Sequence, residues 1–77
     1  MAIGAEEMSK RFSYHPPHGD QPQRYETIRA NAHDLGQFID QNSPDSREKS
    51  LALTALEECV MWANAAIARN EKENTTP

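Results

Sequence analysis

A chain of 77 residues with a formal charge of −4 makes one domain at most, near the size at which a single core is marginal without metals, disulfides or partners. The acidic balance disfavours DNA or RNA polymers, which call for a basic face, but leaves room for a small anion met by a few donors. The lone cysteine, Cys59, excludes an intrachain disulfide framework and suits a reducing compartment; no secretory segment and no apolar run of membrane-spanning length are expected.

The elements predict an all-α chain. Residues from about Gly4 to Arg11 suit a short helix, with Met8 and Phe12 spaced to share a face. In Ser13-Tyr14-His15-Pro16-Pro17-His18-Gly19-Asp20-Gln21-Pro22, three prolines and a glycine forbid regular helix and favour an extended, turning segment. From Pro22 to about Gln41, Tyr25, Ile28, Ala32, Leu35, Ile39 and Asn42 fall at helical spacing along one seam. Asp20 is the expected N-cap, with Pro22 in the first turn.

Asn42-Ser43-Pro44 breaks that helix, because proline disfavours helical geometry in the residue before it. Ser43 is expected to cap the next helix, with Asp45 and Glu48 offering an alternative capping box. This second long helix runs to about Asn70, with Leu53, Leu56, Val60, Ala63 and Ile67 on its seam. Two helices joined by so few residues fold back antiparallel. The prediction is thus one helical-hairpin domain over 1–77, ordered from about 5 to 70, with a frayed polar tail over 71–77.

A bare hairpin buries one seam per helix, and this chain has apolar residues to spare. Phe38, Leu51, Cys59, Met61, Trp62 and Ala66 define a second face, with Gly36 and the alanines Ala30, Ala63 and Ala66 allowing close approach. A surface helix ordinarily shows one apolar stripe, so the surplus predicts a homo-oligomer with ligand sites shared between subunits. Cys59, among Ala55, Leu56, Ala63 and Ala66, reads as a buried, inert thiol.

Chemistry concentrates at one end of the hairpin. The proline-stiffened Phe12–Pro17 loop presents Tyr14 either as a stacking platform for a nucleobase or as a clamp on the hairpin. Antiparallel folding gathers Tyr14, His15, Arg24, Arg29 and Arg69 there. Arginine offers phosphate a paired set of donors that lysine does not. The alternatives are a salt bridge from Arg29 to Glu26 or Asp34 and a helix-dipole contact for Arg69. Asn64, a lone amide in an apolar stripe, either fixes register across an interface or reads a base edge. His15-x-x-His18 lacks further ligands for zinc. Glu57 and Glu58 point apart, Arg47-Glu48-Lys49 reads as a solvated helix start, and no phosphate-cradling glycine loop is present. No enzyme, metal or cofactor is expected.

Four motifs in order, Arg11-Phe12-x-Tyr14-His15-Pro16-Pro17, Gln23-Arg24-Tyr25-Glu26-x-Ile28-Arg29, Ser46-Arg47-Glu48-Lys49-Ser50-Leu51-Ala52-Leu53-Thr54-x-Leu56-Glu57 and Met61-Trp62-Ala63-Asn64-Ala65-x-Ile67-Ala68-Arg69, closely resemble the phage anti-CBASS cyclic-nucleotide sponges, relatives of the sponges that counter Thoeris immunity. The resemblance spans roughly residues 11 to 70. It implies a short helix plus long antiparallel hairpin assembled into hexamers, acting in the host bacterial cytoplasm during infection. It also implies sequestration, without cleavage, of cyclic dinucleotides such as cGAMP and cyclic trinucleotides such as cyclic tri-AMP at separate sites between subunits. By that resemblance Tyr14 stacks on a purine and Arg29 meets a phosphate in the dinucleotide site, while Arg69 maps to the trinucleotide site; His15 and Asn64 are further candidates for that site from our own reading of the residues. The rival reading is a purely structural helical hairpin, an assembly or adaptor protein.

Overall fold

The computed structural model describes residues 2–71, which form three helices and no strand: α1 (Ala5–Phe12), α2 (Gln21–Asn42) and α3 (Arg47–Asn70). In α1, Glu6 and Glu7 occupy the first turn and Lys10 and Arg11 the last, the arrangement the helix dipole favours. A Glu7–Arg11 pair at 2.8 Å, one turn apart, adds to it. Lys10 Nζ donates to Asn70 Oδ1 at 3.3 Å, linking α1 to the C-terminal end of α3.

The segment from Ser13 to Asp20 leads into α2 through Gly19, whose φ of 59° lies in the left-handed region that side chains resist. Asp20 holds the N-cap position and Pro22 the first turn, as expected, but the Asp20 carboxylate makes no capping bond. It lies 3.1 Å from Arg24 instead. At the hairpin tip Ser43 is extended ahead of Pro44. Neither Ser43 nor Asp45 caps α3. Ser46 does, its Oγ accepting the Lys49 amide at 3.1 Å while donating to the Pro44 carbonyl. The chain needs Pro44 and Asp45 to cross the tip, and the Asp45 carboxylate is taken by Lys49.

The facing seam of α3 follows the predicted spacing, with Leu53, Leu56, Val60, Ala63 and Ile67 half-buried. On α2, Tyr25, Ile28, Ala32 and Ile39 are half-buried as expected, but Leu35 and Asn42 are exposed. Gly36 replaces Leu35 on the seam: a Cβ built there meets Leu56 Cδ2 at 3.5 Å. In a straight helix, four residues on from Ala32 holds the line against α3, whereas three residues on swings away from it. Asn42 turns its amide back to the Phe38 carbonyl at 2.8 Å.

No hydrophobic side chain is fully buried among the described residues; the one buried side chain is Gln21, 2% exposed. The molecule is 13 Å deep along its shortest axis, the thickness of a single helix with its side chains. Phe38, Leu51 and Trp62 stand more than half exposed, and Cys59 is exposed too, correcting the expectation of a buried thiol. Leu56 and Ala63 turn toward the α2 seam while Cys59 turns outward with Ala55 and Ala66, so nothing among the described residues covers it. Met61 is exposed to the same degree as Phe38 and Trp62 and also lines an open apolar groove of about 580 Å³ with Ala32, Gly36, Leu53, Leu56 and Val60. Helix α3 is long and apolar enough, by length and composition, to cross a membrane, although Glu57, Glu58 and Asn64 interrupt it so that no continuous apolar run reaches that length.

Both ends of the hairpin are tied by ion pairs. At the tip, Lys49 Nζ reaches Asp45 at 2.7 Å, Asp40 at 2.9 Å and the Asp40 carbonyl at 2.8 Å. It is therefore not the solvated side chain expected of a helix start. At the open end, Arg24 grips Glu71 through both terminal nitrogens, at 2.8 and 2.6 Å. Gln21 Nε2 donates to the same carboxylate at 2.9 Å. Glu71 was expected to begin a frayed tail; it is a fixed cross-chain contact, because it caps α3 beside the start of α2. Residues 72–77 of the expected tail lie outside the described residues.

The Arg24 hydrogen bonds, then the one from Gln21, hold the Glu71 carboxyl down at about 2 from its ordinary 4.5. A depressed carboxyl pKa contributes stability that is complete above the unfolded value and fades as pH falls toward the folded one. Glu71→Gln should therefore remove part of the acid destabilisation between about pH 4.5 and pH 2, seen as a flatter thermal midpoint against pH in that window. An unchanged profile would mean that the contact adds nothing to stability.

Candidate functional site

The open end of the hairpin carries a cleft of about 360 Å³ lined by Ser13, Tyr14, His15, Tyr25, Arg29, Asn64, Ala65, Ala68 and Arg69. Five of the six residues singled out from sequence meet here: Tyr14, His15, Arg29, Asn64 and Arg69. Arg24 does not line it, because its guanidinium is committed to Glu71 and Asp20. The convergence follows from the fold. Arg29 stands two turns into α2, Asn64 and Arg69 on the last turns of α3, and antiparallel packing sets these stretches side by side.

Each wall has its own chemistry. Tyr14 is 83% exposed, its ring held at the rim rather than clamped down on the hairpin. Prolines follow it at 16 and 17, so little ordering cost remains for a ring that stacks on a planar ligand. His15 is half-buried, with Nε2 2.7 Å from the Lys10 carbonyl. That bond requires Nε2 to carry the proton and leaves Nδ1 uncommitted. Arg29 and Arg69 form no ion pair among the described residues, and neither Glu26 nor Asp34 meets Arg29. Two guanidinium groups without carboxylate partners in one small cleft favour an anion, phosphate above all. Arg69 also borders a second cleft of about 410 Å³ with Glu7, Arg11, Phe12 and Trp62. The hydrogen bond from Arg11 lowers the Glu7 carboxyl pKa, and the charge of Arg69 adds a smaller push in the same direction.

Asn64 Oδ1 is buried without a hydrogen-bond partner, one of two such side-chain atoms among the described residues, with Arg24 Nε. An unmet acceptor costs free energy until a donor reaches it, and this one borders the cleft. Sequence reasoning missed Ser13, Tyr25, Ala65 and Ala68. Tyr25 had a recognisable signal, but its helical spacing assigned it to the seam; the alanines have none, since they act only by being small.

No cluster of metal-binding side chains forms among the described residues. The arrangement suits binding: a stacking ring, two cationic forks and an acceptor around one cavity. For the free subunit, Asn64→Ala is expected to raise stability by roughly 0.5 kcal/mol through helix propensity and removal of the orphaned carbonyl. Urea unfolding checks this; a loss of about 1 kcal/mol or more would mean that Asn64 is hydrogen-bonded across a contact between copies.

No curated protein and no solved structure matches the chain. The family described as Acb2/Tad1, hairpin domain, matches residues 5–68, from the start of α1 almost to the end of α3. That span takes in every residue lining the cleft except Arg69, and the chain belongs to the Acb2/Tad1 hairpin-domain family of anti-CBASS and anti-Thoeris sponges.

Proposed function

We propose that this is a phage anti-defence protein that captures host cyclic dinucleotide and cyclic trinucleotide messengers, such as cGAMP and cyclic tri-AMP, and holds them without cleavage in the host bacterial cytoplasm. The observation that carries the reading is the cleft in which exposed Tyr14 stands beside Arg29 and Arg69, both free of ion pairs among the described residues. A cyclic oligonucleotide needs that combination. Its bases offer faces to stack and its phosphodiesters offer anionic oxygens to paired donors. Asn64 Oδ1 supplies an acceptor for a base amine, and His15 a further polar edge. Arg24 contributes through its grip on Glu71, outside the cleft.

The working unit on this reading is a homo-oligomer, a hexamer by family likeness. The cleft is open on one side, so a ligand lying in it keeps a wet face that a second copy can cover. The exposed Phe38, Leu51, Cys59 and Trp62 give such copies something to bury. Enclosure of this kind lowers the local dielectric and strengthens each arginine–phosphate contact.

Titration calorimetry with a 3′,3′-cyclic dinucleotide and with a cyclic trinucleotide tests the proposal. Tyr14→Ala should weaken binding by about 5- to 150-fold, the equivalent of one lost base stack. Arg29→Ala should weaken it by about 10- to 150-fold, with Arg29→Lys in between, because a point charge replaces a fork. Messenger released by heating the complex should be chemically intact. Unaltered affinity in Tyr14→Ala and Arg29→Ala, with function lost on changing Trp62, would favour a structural adaptor built on the exposed apolar face.

A further inference from the structure

We propose that Gln21, Arg24 and Glu71 form a positioning latch that sets how the Tyr14 loop is presented to the cleft. The ligand-binding consequence rests on the sponge reading; the effect on the loop does not.

The latch is built around the one buried side chain of the described residues. Gln21 uses both ends of its amide. Its Oε1 accepts the His18 backbone amide at 3.2 Å, and its Nε2 donates to Glu71 Oε1 at 2.9 Å and, at 3.5 Å, toward the Ile67 carbonyl. The Gln21 backbone N–H in turn donates to the His18 carbonyl at 3.0 Å. The last part of the loop is thereby stitched to the C-terminal end of α3. Arg24 fixes the other partner, holding the Glu71 carboxylate by both oxygens, and is steadied by Asp20.

The rest of the loop is anchored from the opposite side. His15 Nε2 binds the Lys10 carbonyl at the end of α1. Tyr14 lies just outside the bounds of these two anchors, and with Glu71, His15, Pro16, His18 and Ala68 it lines a small cavity of about 180 Å³. The same tyrosine lines the larger cleft. A change at Glu71 thus reaches Tyr14 by two routes: through Gln21 and His18 along the loop, and through the wall that the two residues share. Glu71 also lies beyond the residues matched by the family, which end at 68. The latch is therefore completed by a side chain outside the shared hairpin.

Its energetic effect works through population. If loss of the latch leaves the loop in its binding geometry one tenth of the time, apparent affinity falls by about tenfold with no direct ligand contact removed. This makes Gln21 and Glu71 positioning residues.

The test measures backbone hydrogen exchange across residues 13–20 and, separately, affinity for a 3′,3′-cyclic dinucleotide, in the full chain. Glu71→Ala should speed loop exchange by about tenfold and weaken binding by a similar factor, with helix content by circular dichroism unchanged. Glu71→Gln keeps an acceptor for Gln21 and should retain part of both. Lys49→Ala, which breaks the ion pairs at the opposite end of the hairpin, should leave loop exchange and affinity as they were. The proposal is overturned if Glu71→Ala does not alter loop exchange, or if Lys49→Ala raises it equally, which would make the effect general loosening. Absence of binding by the wild-type chain would sink the sponge reading alone, and loop exchange would still decide for or against the latch.

Discussion

Two helices side by side have no interior, and the other features of this protein follow from that geometric fact. Each helix turns one stripe toward its neighbour and leaves the remainder in water, so seam residues such as Leu53, Leu56 and Val60 reach only partial burial. A compact domain of this length would have a radius of gyration of about 11 Å, against 16.4 Å here. An ion pair adds a tie at each end, Lys49 with Asp40 at the tip and Arg24 with Glu71 at the opening. Exposed ion pairs ordinarily contribute little. It is the antiparallel packing of the two seams that brings Arg29 beside Asn64 and Arg69.

The same fact explains which parts of the chain were legible beforehand. The hairpin could be read because prolines and helical spacing are local signals, and Pro44 with the 4-3 pattern of α3 left little freedom. The gathering of Tyr14, His15, Arg29 and Arg69 at one end was legible too, because a short connection forces antiparallel packing, whereas Asn64 stood out only as a lone amide in an apolar stripe. Leu35 misled because three residues on from Ala32 is as acceptable a helical spacing as four, whereas it is Gly36, four on, that faces Leu56 across the seam. Ser46 was passed over because Ser43 precedes a proline, a strong but misplaced start signal. Least legible were Lys49 and Glu71. Their roles depend on partners brought close by the fold, in the case of Glu71 and Arg24 from opposite ends of the hairpin, and no spacing rule reaches that far. Arg24, grouped with the binding residues from sequence, shows the converse: proximity to the site was foreseeable, but commitment to a carboxylate was not.

Net charge and local charge point in opposite directions in this molecule, and the difference has a use on the sponge reading. The chain is acidic overall, and surface carboxylates such as Glu26, Asp34 and Glu57 repel an extended polyanion at a distance. Among the described residues, Arg29 and Arg69 form no ion pair with a carboxylate. A small cyclic phosphodiester that fits the cavity escapes most of the surrounding repulsion, because it can be enclosed. A long nucleic acid cannot be, and must lie across the acidic surface. Abundant RNA in a cell is thereby a poor competitor for a site whose chemistry alone would welcome it.

Exposure and rigidity have to be reconciled in Tyr14. A ring that is 83% exposed is useful for stacking only if the backbone beneath it holds still, since any ordering at the moment of capture is subtracted from affinity. Pro16 and Pro17 stiffen the chain locally but do not set its direction. Direction comes from two attachments, His15 to the end of α1 and Gln21 to the end of α3. A coreless hairpin has no interior against which to brace a loop, so it braces the loop with hydrogen bonds to helix ends. This accounts for the most deeply buried side chain being a glutamine: its amide offers a donor and an acceptor at once, and a hydrophobic residue of the same size would fill the space while leaving the His18 amide and the Glu71 carboxylate without a common partner.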